Sequence, residues 1–106
     1  QIMWDAGNIL QPDNHLEKTH DVIDGVVREL IQKKCFPVLL GGGHDIAYPH
    51  FCGIQKALGQ ETNIGIVNFD AHLDLREDQS RHSGTPFYQI AKENKGRFHY
   101  LCLGIQ

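Results

Sequence analysis

Three short runs in which almost every residue is apolar, PVLL (37–40), IGIVNF (64–69) and FHYLCLGI (98–105), alternate along the chain with segments of helical periodicity. This alternation constrains the fold more than any other feature. Runs of four to eight apolar residues bounded by glycine or proline are too short for buried helices, and they read as strands covered on both faces. Strands separated by helices are joined by right-handed crossovers, which make neighbouring strands parallel and place the helices over the sheet. The expected architecture is therefore α/β, a three-layer parallel sheet with helices on both faces.

The intervening segments carry their own signals. Asn14 followed three residues later by Glu17 has capping-box spacing. Leu16, Ile23, Val26, Val27, Leu30 and Ile31 then recur near the helical period, while Asp24 with Arg28 and Glu29 with Lys33 form i,i+4 pairs expected on the solvent side. Pro37 should prevent that helix from continuing. Gly41-Gly42-Gly43 makes a turn, Asp45 to Leu58 predicts a second helix stopped by Gly59, and Thr85-Pro86 predicts the cap and first residue of a third. Phe87, Ile90 and Ala91 give the third helix its apolar side until Asn94-Lys95-Gly96 ends it.

With 106 residues, 41% hydrophobic and 22% charged, the chain is sized for one small domain. A formal net charge of −3, with no basic run longer than Lys33-Lys34, offers no footprint for nucleic acid or an anionic membrane. The expected partner is a small-molecule substrate, with homo-oligomerisation left open. Neither a signal-peptide pattern nor an apolar stretch of the ~18 residues that span a bilayer is visible, so the chain reads as cytoplasmic. Cys35, Cys52 and Cys102 are far apart, odd in number and set among apolar residues, and are expected as buried thiols. Gln1 is not a start residue and the chain stops within LCLGIQ, which suggests a piece of a longer polypeptide.

The chemistry concentrates at two strand ends. In NFDAHLDLR (68–76), Asp70, His72 and Asp74 occupy alternate positions and would face one way if the chain stays extended beyond Phe69. His44, in GGGHD, lies at the matching end of another predicted strand. In open parallel sheets ligands bind outside the carboxyl ends of the strands. Carboxylates with a minority of imidazole suit divalent ions such as Mn²⁺, and four such ligands suggest a pair of ions about 3.5–4 Å apart acting on water. The plainer reading of each residue, as helix cap, loop hydrogen-bond partner or solvated charge, stays open here. Arg76 is either a solvated counter-charge or a fork for a substrate carboxylate. His15, His20, His50 and His99 read as surface or core residues, and His82 stays in play beside the Ser83-Gly84-Thr85 loop.

GGGHD, NFDAHLDLR and SGTPF, in this order, resemble the ureohydrolase family of arginases and agmatinases, and the resemblance runs from WDAGN to LCLGIQ. Within that family the HD after the glycines, the DLR after the acid motif and the serine before GTPF look most like its formimidoylglutamase members. The resemblance implies an arginase-like fold, only part of it present, with residues 1–106 a fragment of a single catalytic domain. It implies hydrolysis of C=N bonds at a binuclear manganese site, here of N-formimidoyl-L-glutamate to L-glutamate and formamide in histidine degradation, with an agmatinase or guanidino-acid hydrolase and an inactive metal-binding fragment as the alternative readings. His44 and Asp74 would hold one Mn²⁺, His72 the other, and Asp70 would bridge them, giving two Mn²⁺ per complete site. Arg76 and Ser83 would contact the substrate. The family completes the cluster with an Asp-x-Asp pair that does not occur among these residues, so the fragment alone is expected to be inactive. Arginases and agmatinases carry a histidine where Ser83 stands, which leaves the proton shuttle unassigned, with His82 one step earlier.

Overall fold

The computed structural model describes residues 2–106; Gln1 lies outside them. Helix α1 spans Leu16–Gln32, α2 Ala47–Leu58, strand β1 Gly65–Phe69, α3 Pro86–Glu93 and strand β2 His99–Leu103. The two strands pair in parallel, with Ile66 opposite Tyr100 and Asn68 opposite Cys102. They are connected through α3, the crossover that the sequence pattern demands.

Alternation along the strands divides the sheet into two unlike faces. Ile66 and Tyr100 face α2 and α3 and pack with the buried Tyr48, Phe51, Phe87 and Ile90. Asn68, also on this side, is buried and donates to the Tyr100 hydroxyl at 3.1 Å. The opposite face, with Val67, Phe69, Leu101 and Leu103, is exposed. Helix α1 lies against α2, where Gly53 lets the two backbones approach: a Cβ there would come within 2.7 Å of both the Asp24 carbonyl and Val27. Val27 is fully buried at that crossing, a side-chain burial that contributes about 1.5–3 kcal/mol.

Several local expectations change. No strand pairs with PVLL among the described residues, and Val38 and Leu40 are exposed. An apolar run becomes a strand only where a neighbour offers a hydrogen-bond ladder, so two strands form where three were expected. Asn14 does not cap α1. It belongs to a 3-10 turn, Pro12–Asn14, with a left-handed φ of 51°, and His15 occupies the N-cap without a side-chain bond.

Helix α1 also stops before Pro37. Lys34 adopts φ 61° and the Cys35 N–H returns to the Leu30 carbonyl, a Schellman-type ending. Glu29 and Lys33 pair at 2.6 Å as expected, but Asp24 is buried and meets Lys56 of α2 instead of Arg28, so it ties two helices together. Cys35 is exposed, against expectation, because nothing packs over the turn that follows α1. Gly59 ends α2 with φ 107°, and Thr85 and Pro86 open α3 at the expected positions. The Thr85 hydroxyl donates to the His82 carbonyl at 3.0 Å and makes no cap bond.

Candidate metal centre

Beyond β1 the chain does not stay extended. The Asp70 N–H still reaches the Leu103 carbonyl at 3.0 Å, continuing the ladder by one residue, after which the backbone bends through 70–72. Asp74 then takes a left-handed φ of 47°, a conformation that aspartate tolerates better than most residues. The bend, rather than strand alternation, decides which side chains meet. Asp70 and Asp74 converge, and His44 joins them from the 3-10 turn His44–Ile46 that leads into α2.

His44 Nδ1 lies 2.6 Å from Asp74 Oδ2 and 3.1 Å from Asp70 Oδ2. Carboxylates only accept, so these contacts need a proton on Nδ1, which an ion bound there would replace. One ligand atom from each of the three residues lies within 4.8 Å of the others. An imidazole nitrogen with two carboxylate oxygens is a donor set suited to a divalent ion that prefers oxygen and tolerates nitrogen, and the residues fit such an ion.

His72 is not in this group. Its side chain is 77% exposed and stands on the other side of Asp70, with Nδ1 3.3 Å from Asp70 Oδ1. The Asp70 carboxylate therefore presents Oδ2 to His44 and Oδ1 to His72. The His72 backbone N–H also donates to Oδ1 at 2.9 Å, and this bond leads in holding the Asp70 carboxyl below its ordinary value.

Arg76 is exposed, and its guanidinium makes no ion pair among the described residues, while its N–H donates to the Gly84 carbonyl at 2.9 Å. That bond ties the end of the acid loop to the 82–85 loop. Ser83 is exposed beside the glycine turn, its Cβ 3.8 Å from where a Cβ on Gly43 would stand. His82 is held within its own loop: Nδ1 accepts the Gly84 N–H at 3.0 Å, so Nε2 carries the proton and faces Asp78 at 3.2 Å.

The supports of this cluster carry no polar motif that a sequence reading would single out. Phe87 stands edge-on to the His44 ring, centroids 5.4 Å apart, and its N–H donates to the Asp74 carbonyl. Tyr100 stacks near Phe87 and donates its hydroxyl to the Leu73 carbonyl at 2.9 Å, directly before the left-handed Asp74. Phe87 and Tyr100 were legible only as apolar members of a helix face and a strand. Among the described residues no helix is long and apolar enough to cross a membrane.

Comparison with known proteins places this geometry. The formimidoylglutamase of Geobacillus thermodenitrificans is 44% identical over 105 residues, covering 98% of this chain and 32% of that protein. The formimidoylglutamase of Ralstonia nicotianae is 43% identical over 108 residues, covering 95% and 33%. Among solved structures, Trypanosoma cruzi formiminoglutamase with Mn²⁺ superposes with a TM-score of 0.77 at 32% identity, covering 92% of this chain and 36% of that one. Formimidoylglutamase from Bacillus subtilis gives a TM-score of 0.79 at 25% identity, covering 95% and 32%. The chain thus spans about a third of the length of the relatives it matches, and its arginase-like fold is a part of theirs. A sequence profile described as "Arginase family" matches residues 2–106, and the chain belongs to that family.

Proposed function

We propose that this chain supplies part of the catalytic domain of a binuclear manganese hydrolase of C=N bonds, acting in the cytoplasm on N-formimidoyl-L-glutamate to give L-glutamate and formamide. The observation that carries the reading is the meeting of His44, Asp70 and Asp74, with the second oxygen of Asp70 turned to His72. His44 and Asp74 would hold one ion and His72 the other, with Asp70 shared between them. The names of the relatives and the manganese in the Trypanosoma cruzi structure support the substrate and the metal. Manganese bound there would supply Lewis acidity that lowers the pKa of a bound water from about 15.7 toward neutrality.

The chain's own residues position the rest. Arg76, exposed and without an ion pair among the described residues, receives a carboxylate of the substrate's glutamyl part, for which its planar fork is suited. Ser83, exposed beside the glycine turn, offers a hydroxyl to the same substrate. His82, with both ring nitrogens engaged in its loop, stays out of proton transfer. The 106 residues alone are inactive in this reading, because the carboxylates present do not complete a two-ion site.

The test is manganese content and product release by the full-length gene product. Two ions per chain and formamide from N-formimidoyl-L-glutamate are expected, whereas urea from a guanidino compound would overturn the substrate. His72→Ala should leave about one ion per chain, and retention of two would remove His72 as a ligand. Arg76→Ala should raise KM by roughly 10- to 100-fold, the worth of a charge-assisted bidentate contact, with kcat little changed; an unchanged KM removes the carboxylate role.

A further inference from the structure

The histidine of the cluster sits in a turn whose grip comes from elsewhere. Asp45 directly follows His44 within the 3-10 turn His44–Ile46, and its Oδ2 lies 2.7 Å from Nε2 of His20, which is on α1, 25 residues earlier. His20 is 2% exposed. The other oxygen of Asp45 lies over Gly43, so close that a Cβ there would meet Oδ1 at 2.5 Å. The turn itself closes through the Ile46 N–H on the Gly43 carbonyl at 3.3 Å. The carboxylate is thus clamped between a buried imidazole and the residue before His44, which leaves the His44 backbone little freedom to swing.

Such a pair is a poor device for stability alone. The carboxylate can only accept, so His20 Nε2–H donates, and the Nδ1 lone pair is left buried with no partner among the described residues. Desolvating an imidazole and a carboxylate for one hydrogen bond is often matched by apolar side chains of similar volume. What apolar residues cannot do is fix the rotation of the turn, and a ligand's orientation governs how well it meets its ion.

We propose that His20 is a positioning residue for the metal centre, acting through Asp45 to aim His44. This rests on the manganese reading given above. The rival explanation is that the pair only locks α1 onto α2. The buried Gln55–Asn94 pair, with Gln55 Nε2 2.5 Å from Asn94 Oδ1, ties α2 to the end of α3 and makes no contact with His44. It serves as a control for loss of a buried hydrogen bond.

The experiment is a titration of the full-length gene product with manganese alone, followed by the electron paramagnetic resonance signal of the free ion, beside thermal melting of each variant. His20→Asn and Asp45→Ala are expected to weaken the ion held by His44 by roughly 10- to 100-fold, the range for groups that orient ligands. Together they should be no worse than either alone. His20→Gln, whose amide nitrogen reaches the position of Nε2, should stay within about threefold of the unaltered protein. Asn94→Ala should lower the melting temperature and leave manganese affinity unchanged. If His20→Asn and His20→Gln bind manganese equally well, or if His20→Asn matches Asn94→Ala in losing only stability, the positioning role is overturned. An unaltered protein that takes up no manganese overturns the metal reading, and this inference falls with it.

Discussion

Two pieces of chain bring ligands to the candidate centre, and they are held in different ways. The acid loop, 70–76, is fixed largely through its main chain: Asp70 to Leu103, Asp74 to Phe87, Arg76 to Gly84, with Tyr100 on the Leu73 carbonyl. The histidine turn, 43–46, follows a segment with no ladder partner among the described residues, and it depends on the contact of Asp45 with His20 and on the start of α2. Main-chain bonds survive most substitutions because every residue but proline offers the same groups. Side-chain clamps do not. The loop should therefore tolerate changes that touch no ligand, whereas the turn should be fragile at positions that never meet the metal.

The largest effect sets the baseline for this contrast. Among the described residues Asp70 is the carboxylate that faces both His44 and His72, so on the proposed metal reading Asp70→Ala should weaken manganese binding by more than the roughly 100-fold at the top of the range for outer partners. Its melting temperature should move little, because the Asp70 N–H keeps the Leu103 carbonyl. Elemental analysis and calorimetry check this; two ions retained per chain would end the bridging role.

Next in size come two glycine substitutions that separate the turn from the loop. Gly43→Ala drives a methyl group against Asp45 Oδ1 and forces the carboxylate off His20, leaving a buried donor unmatched. About 1–3 kcal/mol of stability should be lost. Gly84→Ala, beside the acid loop, meets the His82 ring at 3.1 Å and the Arg76 stem at 3.2 Å, both exposed enough to give way. Its loss should stay below about 1 kcal/mol. Denaturant unfolding measures both, and equal losses would break the distinction drawn here.

The same distinction explains what was legible in the sequence. Phe87 and Ile90 announced their face because helical periodicity reports burial directly, and the stop of α2 at Gly59 and the start of α3 at Pro86 follow from backbone conformations few residues share. The convergence of His44 with Asp70 and Asp74 was legible from motif placement at strand ends. The wrong steps involved tertiary partners. PVLL has strand composition but no ladder, Asn14 lost its cap to a left-handed turn, and Asp24 exchanged Arg28 for Lys56 on another helix. His72 departs from Asp74 because the chain bends after Asp70, and no two-residue period carries through a bend. His20 read only as a surface or core histidine because its partner lies 25 residues away.

The smallest effect probes how much one side chain adds to a loop held mostly by its main chain. Tyr100 donates to the Leu73 carbonyl, which is near solvent, so in Tyr100→Phe water can take up that acceptor. The loss should be about 0.5–1 kcal/mol, with manganese affinity within about twofold of the unaltered protein. The hydroxyl has a second signature. Burial leads in pushing Tyr100 up to about 12, above the ordinary value of 10.0. A group whose folded value is raised holds its proton longer when folded, so its stability contribution is complete below about pH 10 and fades as pH rises toward 12. Tyr48, also raised by burial and by its bond to Glu93, adds to the same alkaline decline. Tyr100→Phe should remove only its own share, leaving a shallower slope between pH 10 and 12. A slope unchanged by the substitution would mean that Tyr100 is free to ionise in the folded protein, and the acid loop would then rest on its main-chain bonds alone.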